Sequence, residues 1–253
     1  MTATAIGEFR AGAVLNEGFE ILVKNIVPFG TISLAVAFPS FLYELSQGAA
    51  PVVTTTNTEG GNFYVERSIV GGGALITVAI ELLLRQVAVG TISYGVFQEM
   101  RGQRASAADC LRRAVSLFFV VAAVAVVAVV ATLAAAILLI VPAFIVATML
   151  WVAVPAAVVE RPGVFRSLSR SAALTKGHRW QIFGIILLIG IGGLAAGYVV
   201  ERLFGLGTLG AIVSWVVSAV VSAYAACVTA LGYSTLRFAK EGVGVEEIAG
   251  VFD

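Results

Sequence analysis

The chain has 253 residues, 59% of them hydrophobic and 12% charged, with a formal net charge of +1 and a mean hydropathy of +0.99. Soluble domains carry roughly 25% charged residues, and apolar runs of about 20 residues recur here, so the composition is that of an integral membrane protein and excludes a soluble globular domain. Nucleic-acid binding is not expected.

The start, "MTATAIGEFRAGAV", lacks a basic stretch followed by a continuous apolar one. Neither a cleaved signal peptide nor a transit peptide is therefore expected, and the first membrane helix is expected to direct insertion. A hydrocarbon layer about 30 Å thick takes about 20 helical residues to cross. Six crossings are predicted. The first runs from about Ile26 to Leu45 with a kink at Pro39, and the second from about Ile69 to Phe97. Residues 115–159 are apolar apart from a few Ser and Thr, too long for one crossing and suited to two. Pro142 is disfavoured in a helix interior and tolerated in a first turn, so the break is placed near Leu139 to Val141. The third crossing is then about Ala114 to Leu138 and the fourth about Pro142 to Val159. The fifth is about Gln181 to Val200 and the sixth about Leu209 to Leu236.

Orientation follows from the cations, because short loops rich in Lys and Arg stay cytoplasmic. With both termini inside, thirteen of the sixteen Lys and Arg are cytoplasmic, Arg85 is in a membrane helix, and only Arg67 and Arg202 face out. The opposite orientation reverses that ratio. The location expected is the bacterial inner (cytoplasmic) membrane. The outer loop, Ser46 to Ser68, is rich in Thr, Gly and Asn and is expected to be exposed and partly flexible.

Each outward-going helix is preceded by a short amphipathic cytoplasmic segment. In the first, Ala11, Val14, Leu15, Gly18, Phe19, Ile21 and Leu22 share one face, and Glu17, Glu20 and Lys24 another, with Glu20 and Lys24 placed as an i,i+4 pair. In the second, "SAADCLRRA", Ser106 and Asp109 form a capping-box pattern ahead of Arg112 and Arg113. In the third, Val164, Phe165, Leu168 and Ala172 oppose Arg166, Arg170 and Lys176. "LVKN" before the first crossing is similar to "LTKG" before the fifth, with Asn25 or Gly177 where a helix end calls for a left-handed residue. The predicted fold is all-α: a polytopic membrane protein whose single domain, 1–253, contains three elbow-plus-hairpin units, about 8–98, 105–159 and 163–236. A short cytoplasmic tail, 237–253, follows.

The third elbow holds the densest positive charge. From Arg161 to Arg179 the chain carries five of its sixteen Lys and Arg and its only histidine. An interfacial elbow places its apolar face at the headgroup boundary while Arg166, Arg170, Lys176 and Arg179 reach anionic phosphates, at about 1 kcal/mol for each cation near the surface. Arg112 and Arg113 would act likewise. The rival is a selective anion site built from Arg170, His178 and Arg179; for His178 alone, an interfacial side chain is the blander reading.

Glu81 and Arg85 lie near the middle of the second crossing, where a charged side chain facing lipid costs about 2.5 to 3.5 kcal/mol. They are expected to face protein or water and, four residues apart, to pair along one helix face. That pair reads either as a structural contact in the bundle or as a proton, ion or polar-substrate site. Ser214, Ser218, Ser222, Ala226 and Ala230 recur every four positions on the sixth crossing, and Gly193 with Gly197 forms a GxxxG on the fifth. Such stripes let helices approach closely, within one chain or between copies. Tyr94, Trp151 and Trp180 suit polar interfaces.

No Walker loop, GxSxG, HExxH, CxxC or cluster of acids for a catalytic metal is found, and Cys110 and Cys227 have neither metal-ligand spacing nor an evident disulfide. No catalytic residues, metal or cofactor are predicted. "VGGGALIT" at Val70 reads as the start of a membrane helix.

From Trp151 to Phe183 the residue pattern is Pro155 and Glu160 closing an apolar helix, then Gly163, Arg170 with Ser171, Leu174, and Gly177 leading to Trp180 and Phe183. In this the chain resembles a family of uncharacterised bacterial six-helix membrane proteins, related to the membrane domain fused to some glycerophosphodiester phosphodiesterases. Gly90, Tyr94 and Gly102 are also similar to that family, so the likeness covers about Gly90 to Phe183 and elsewhere rests on topology. The soluble phosphodiesterase barrel is absent from this chain, so that activity does not carry over. What the resemblance implies is an inner-membrane location and a helical fold. The function expected is a non-enzymatic, lipid-contacting scaffold or an accessory subunit of a membrane assembly, in contact with anionic headgroups and with a homo-oligomer or larger complex as partner. The alternative is a small transporter or channel using Glu81 and Arg85.

Overall fold

The apolar runs fold as helices. A computed structural model describes residues 9–48, 72–100, 112, 119–128, 130–132, 140–160, 163–205 and 207–242, and every regular element among them is helical. In chain order they are α1 (Ala11–Lys24), α2 (Ile26–Gly48), α3 (Gly72–Met100), α4 (Ile140–Leu150), α5 (Ala153–Glu160), α6 (Val164–Thr175), α7 (Arg179–Phe204) and α8 (Thr208–Glu241). An unlabelled helical segment covers residues 119–128.

Five of the six expected crossings coincide with helices: α2, α3, α4 with α5, α7 and α8. Of the third, residues 119–128 and 130–132 are described and helical, whereas the second elbow with Arg113 and the outer loop lie mostly outside the described residues. By length and composition three helices among the described residues suffice to cross a membrane: Pro142–Glu160, Arg179–Phe204 and Thr208–Glu241. The count becomes four if α1 and the first part of α2, bent by 93° at Asn25, form one broken span.

α8 organises the bundle, packing against α1, α2, α3, α5, α6 and α7. Its small side chains explain how so many helices reach it. Ala226 to Ser234 are all buried, with Gly18 of α1 seated over Val228 and the Trp151 ring seated on Gly232. Between helices surrounded by lipid, close packing of this kind drives association in place of the hydrophobic effect. The 34 residues of α8 extend about 51 Å, well beyond a hydrocarbon layer of about 30 Å. The Arg237, Lys240 and Glu241 end therefore stands outside the apolar layer if the rest of α8 crosses it.

The first amphipathic segment is a helix, and it follows the expected pattern only in part. Val14, Gly18 and Leu22 are buried and Ala11, Leu15 and Ile21 pack on the same core, while Phe19 remains largely exposed, edge-on to Tyr224. Glu20 accepts a hydrogen bond from Asn16 Nδ2 at 3.2 Å, and no Glu20–Lys24 ion pair forms among the described residues. Asn25 is not left-handed as expected: φ is −120°, and its side chain caps the Ile21 carbonyl at 3.2 Å instead. Gly177, at φ +96°, does take the conformation that favours glycine.

A smaller second core joins Val121 and Val124 to Ala153, Val154, Ala157 and Val158 of α5, with Tyr94 of α3 packed against both cores.

Candidate functional site

Pro142 lies in the first turn of α4, as its chemistry requires. A second proline breaks the fourth crossing where no break was expected. Pro155 has no N–H to give the carbonyl four residues back, and its ring crowds that carbonyl, which belongs to Trp151. The helix accordingly stops at Leu150 and restarts at Ala153. The Met149 carbonyl in the last turn of α4 accepts the Ser171 hydroxyl at 2.7 Å, with Thr175 at 3.5 Å. The buried side of α6 is thus Ser167, Ser171, Leu174 and Thr175, a hydroxyl-rich stripe that the charge pattern did not reveal. Gly163, at φ +91°, turns the chain from α5 into α6.

Around this corner the bundle closes on a charged cluster. Glu160 ends α5, Arg170 lies in the middle of α6, and Tyr233, Arg237 and Glu241 occupy the last turns of α8. Arg170 Nε donates to both oxygens of Glu160, at 2.8 and 2.9 Å, and Nη2 donates to Glu241 at 2.7 Å; Nη1 pairs with the other oxygen of Glu241. The Tyr233 hydroxyl donates to Glu160 Oε1 at 2.7 Å and Arg237 Nε to Glu241 at 3.2 Å. Lys240 Nζ donates to the Ala173 carbonyl at 2.6 Å, adding a second tie from α8 to α6. The Arg170, Glu160 and Glu241 side chains retain 25%, 20% and 29% exposure, so the pairs are partly screened. The hydrogen bond to Glu241, followed by that to Glu160, raises the Arg170 pKa above its ordinary value against the opposing effect of desolvation. Arg170 is therefore charged at any pH at which the protein folds.

All four carboxylate oxygens already accept a donor. Two carboxylates balance two guanidiniums. Chemically, the arrangement fixes the α5–α6 hairpin to the end of α8.

The other predicted positions do not converge on one site. Arg166 and Lys176 are exposed, Arg179 and His178 half-buried. His178 Nδ1 is 2.9 Å from Gln181 Oε1, and its ring is 5.4 Å from that of Phe9. Arg112 is exposed. Arg85 is exposed in the middle of α3, and the side chain of Glu81 lies outside the described residues. On α7, a Cβ at Gly193 would meet Val221 of α8 at 3.4 Å, whereas Gly197 faces open space. Of the serine stripe, Ser214 and Ser222 are half-buried and Ser218 exposed, and only Ala226 and Ala230 are buried.

Sequence reasoning missed Glu241 and Tyr233 and gave Glu160 no partner. One signal was present: an acid closing an apolar helix at a cation-rich end calls for a cation nearby. Among the described residues no three His, Cys, Asp or Glu gather to hold a metal ion. No family model, curated protein or solved structure matches the chain.

Proposed function

We propose that this chain is a non-catalytic integral membrane protein of the bacterial inner membrane, acting as a scaffold or accessory subunit, with six crossings and both termini cytoplasmic. The observation that carries this reading is a contrast. The charged groups with the most organised surroundings are engaged with one another, whereas the long apolar face of α7 has no partner among the described residues. Leu188, Ile191, Leu194, Val199 and Leu203 are each more than half exposed. A face of that kind meets lipid or another membrane helix. The distribution of Lys and Arg supports the orientation.

Kinship with the six-helix family is part of the same proposal. Six of the residues that carry the resemblance have a structural place: Glu160 and Arg170 pair, Gly163 and Gly177 turn with positive φ, Ser171 serves the Met149 carbonyl, and Leu174 is buried. Extraction of the native protein in mild detergent, with proteins and lipids identified together, tests the function. A stoichiometric membrane partner is expected; a monodisperse monomer with neither partner nor retained lipid overturns the reading.

Arg85 favours a second reading, a small transporter or channel. It lies seven residues before Ile92, on the strip of α3 that Ile92 and Val96 bury, yet is itself exposed. Flux across reconstituted vesicles that Glu81→Gln and Arg85→Gln both abolish would replace the scaffold with this reading.

A further inference from the structure

We propose that the outer face of α6, continued into the first turn of α7, is a docking surface for anionic phospholipid headgroups; the inference rests on the reading of α7 as a membrane crossing. At 100° per residue, Phe165, Arg166, Ser169, Ala173 and Lys176 share an arc of about 100° on one side of the α6 axis. All five are exposed, Phe165 to 77%. The opposite arc is the buried one that holds Ser167, Ser171, Leu174 and Thr175. The helix therefore has an inner face fastened to the bundle and an outer face composed of an aromatic ring, two cations and small residues.

Charge selects the occupant. Between Glu160 and Glu201 the sequence has no Asp or Glu. Glu160 and Glu241 are taken by Arg170, and among the described residues Arg166, Lys176 and Arg179 have no carboxylate partner. Among the described residues, what remains on this corner is three cations without a carboxylate partner beside Phe165 and Trp180, the latter 85% exposed. Tryptophan favours the headgroup level, where one side of the ring is wet. Depth points the same way. From Trp180 to Arg202, whose guanidinium lies over the Tyr198 ring at 5.2 Å, α7 rises about 33 Å, which matches one hydrocarbon thickness between two aromatic and cationic ends. With α7 across the bilayer and Trp180 at the headgroup level, the first turn of α7 and Lys176 just before it stand near the phosphates. Phe165 and Trp180 enter the boundary of the acyl chains, and Arg166, Lys176 and Arg179 meet phosphates. Arg170 takes no part, because its guanidinium is turned to the two carboxylates.

The test compares lipid retention on the full chain, extracted in a neutral detergent and exposed to equal amounts of phosphatidylglycerol and phosphatidylcholine at low salt, by native mass spectrometry. The wild type is expected to retain phosphatidylglycerol at least tenfold in preference. Each cation near an anionic surface is worth about fivefold, so Arg166→Gln with Lys176→Gln should reduce the preference by more than tenfold. Arg166→Glu with Lys176→Glu, both on an exposed face, should reverse it. Arg202→Gln, at the far end of α7, should leave it unchanged. Equal retention of the two lipids, or an equal loss from Arg202→Gln, overturns the proposal. So does displacement of the lipid by millimolar inorganic phosphate, which would show a site for the free anion instead. A failure here leaves a co-purified protein partner untouched, and the absence of such a partner leaves the lipid preference untouched, so the two readings fail separately.

Discussion

The indole of Trp151, at the break between α4 and α5, lies flush against Gly232 in the most buried stretch of α8. A Cβ at position 232 would collide with the ring. Gly232→Ala is expected to destabilise the protein by about 1 to 3 kcal/mol, the range for overpacking a tight core. Thermal unfolding in detergent should show the loss. Trp151→Leu in the same chain should recover part of it, because the two changes share one contact and so are not additive.

Arg170 joins three elements through one guanidinium. Arg170→Gln leaves Glu160 and Glu241 facing each other without their common cation, with an expected cost of about 1.5 to 3 kcal/mol from charge-assisted hydrogen bonds. Arg170→Lys should restore little of this, since an ammonium lacks the planar fork that reaches two carboxylates together. Chemical or thermal denaturation of the two variants against the wild type measures the difference. Equal stability of the lysine variant and the wild type would mean that charge alone, without the fork, fastens α6 to α8.

Much of the architecture can be read from local pattern. The inward face of α1, the helical course of five of the expected crossings, the position of Pro142 and the turn at Gly177 all follow from periodicity or from the backbone chemistry of a single residue. The charged cluster could not be found that way. Arg170 and Glu241 are 71 residues apart, and nothing local to either names the other. The third elbow was misread for a different reason. Phe165 was expected on the apolar face opposite Arg166 but is exposed beside it, while the buried arc includes Ser167 and Ser171, small residues that return their hydroxyls to the Gly163 and Met149 carbonyls. Asn25 was misjudged on similar grounds, since its amide caps the helix without any left-handed turn.

Ser171 and Pro155 should be coupled. Ser171→Ala removes the shorter of the two hydroxyl contacts to the Met149 carbonyl and is expected to cost about 1 kcal/mol. Pro155→Ala supplies an N–H for the Trp151 carbonyl and allows α4 to continue into α5. In that background the turn around Met149 becomes ordinary helix, so the Ser171→Ala cost should shrink. A double-mutant cycle by thermal unfolding gives the coupling, and full additivity would show that the hydroxyl acts without reference to the break.

Sidedness decides how the two ends of α7 are used. Ser169 is exposed on the outer arc of α6, and Leu203 is 71% exposed near the opposite end of α7. With Cys110 changed to Ser and the buried Cys227 left in place, Ser169→Cys is expected to react with a membrane-impermeant maleimide only after the inner membrane is opened. Leu203→Cys, about 36 Å from the start of α7, should react in intact spheroplasts. Retention of helical circular dichroism shows that each variant folds. Labelling of Ser169→Cys from outside would reverse the orientation drawn from the cations. It would place Arg166 and Lys176 on the periplasmic face, where the short-loop rule predicts few basic residues.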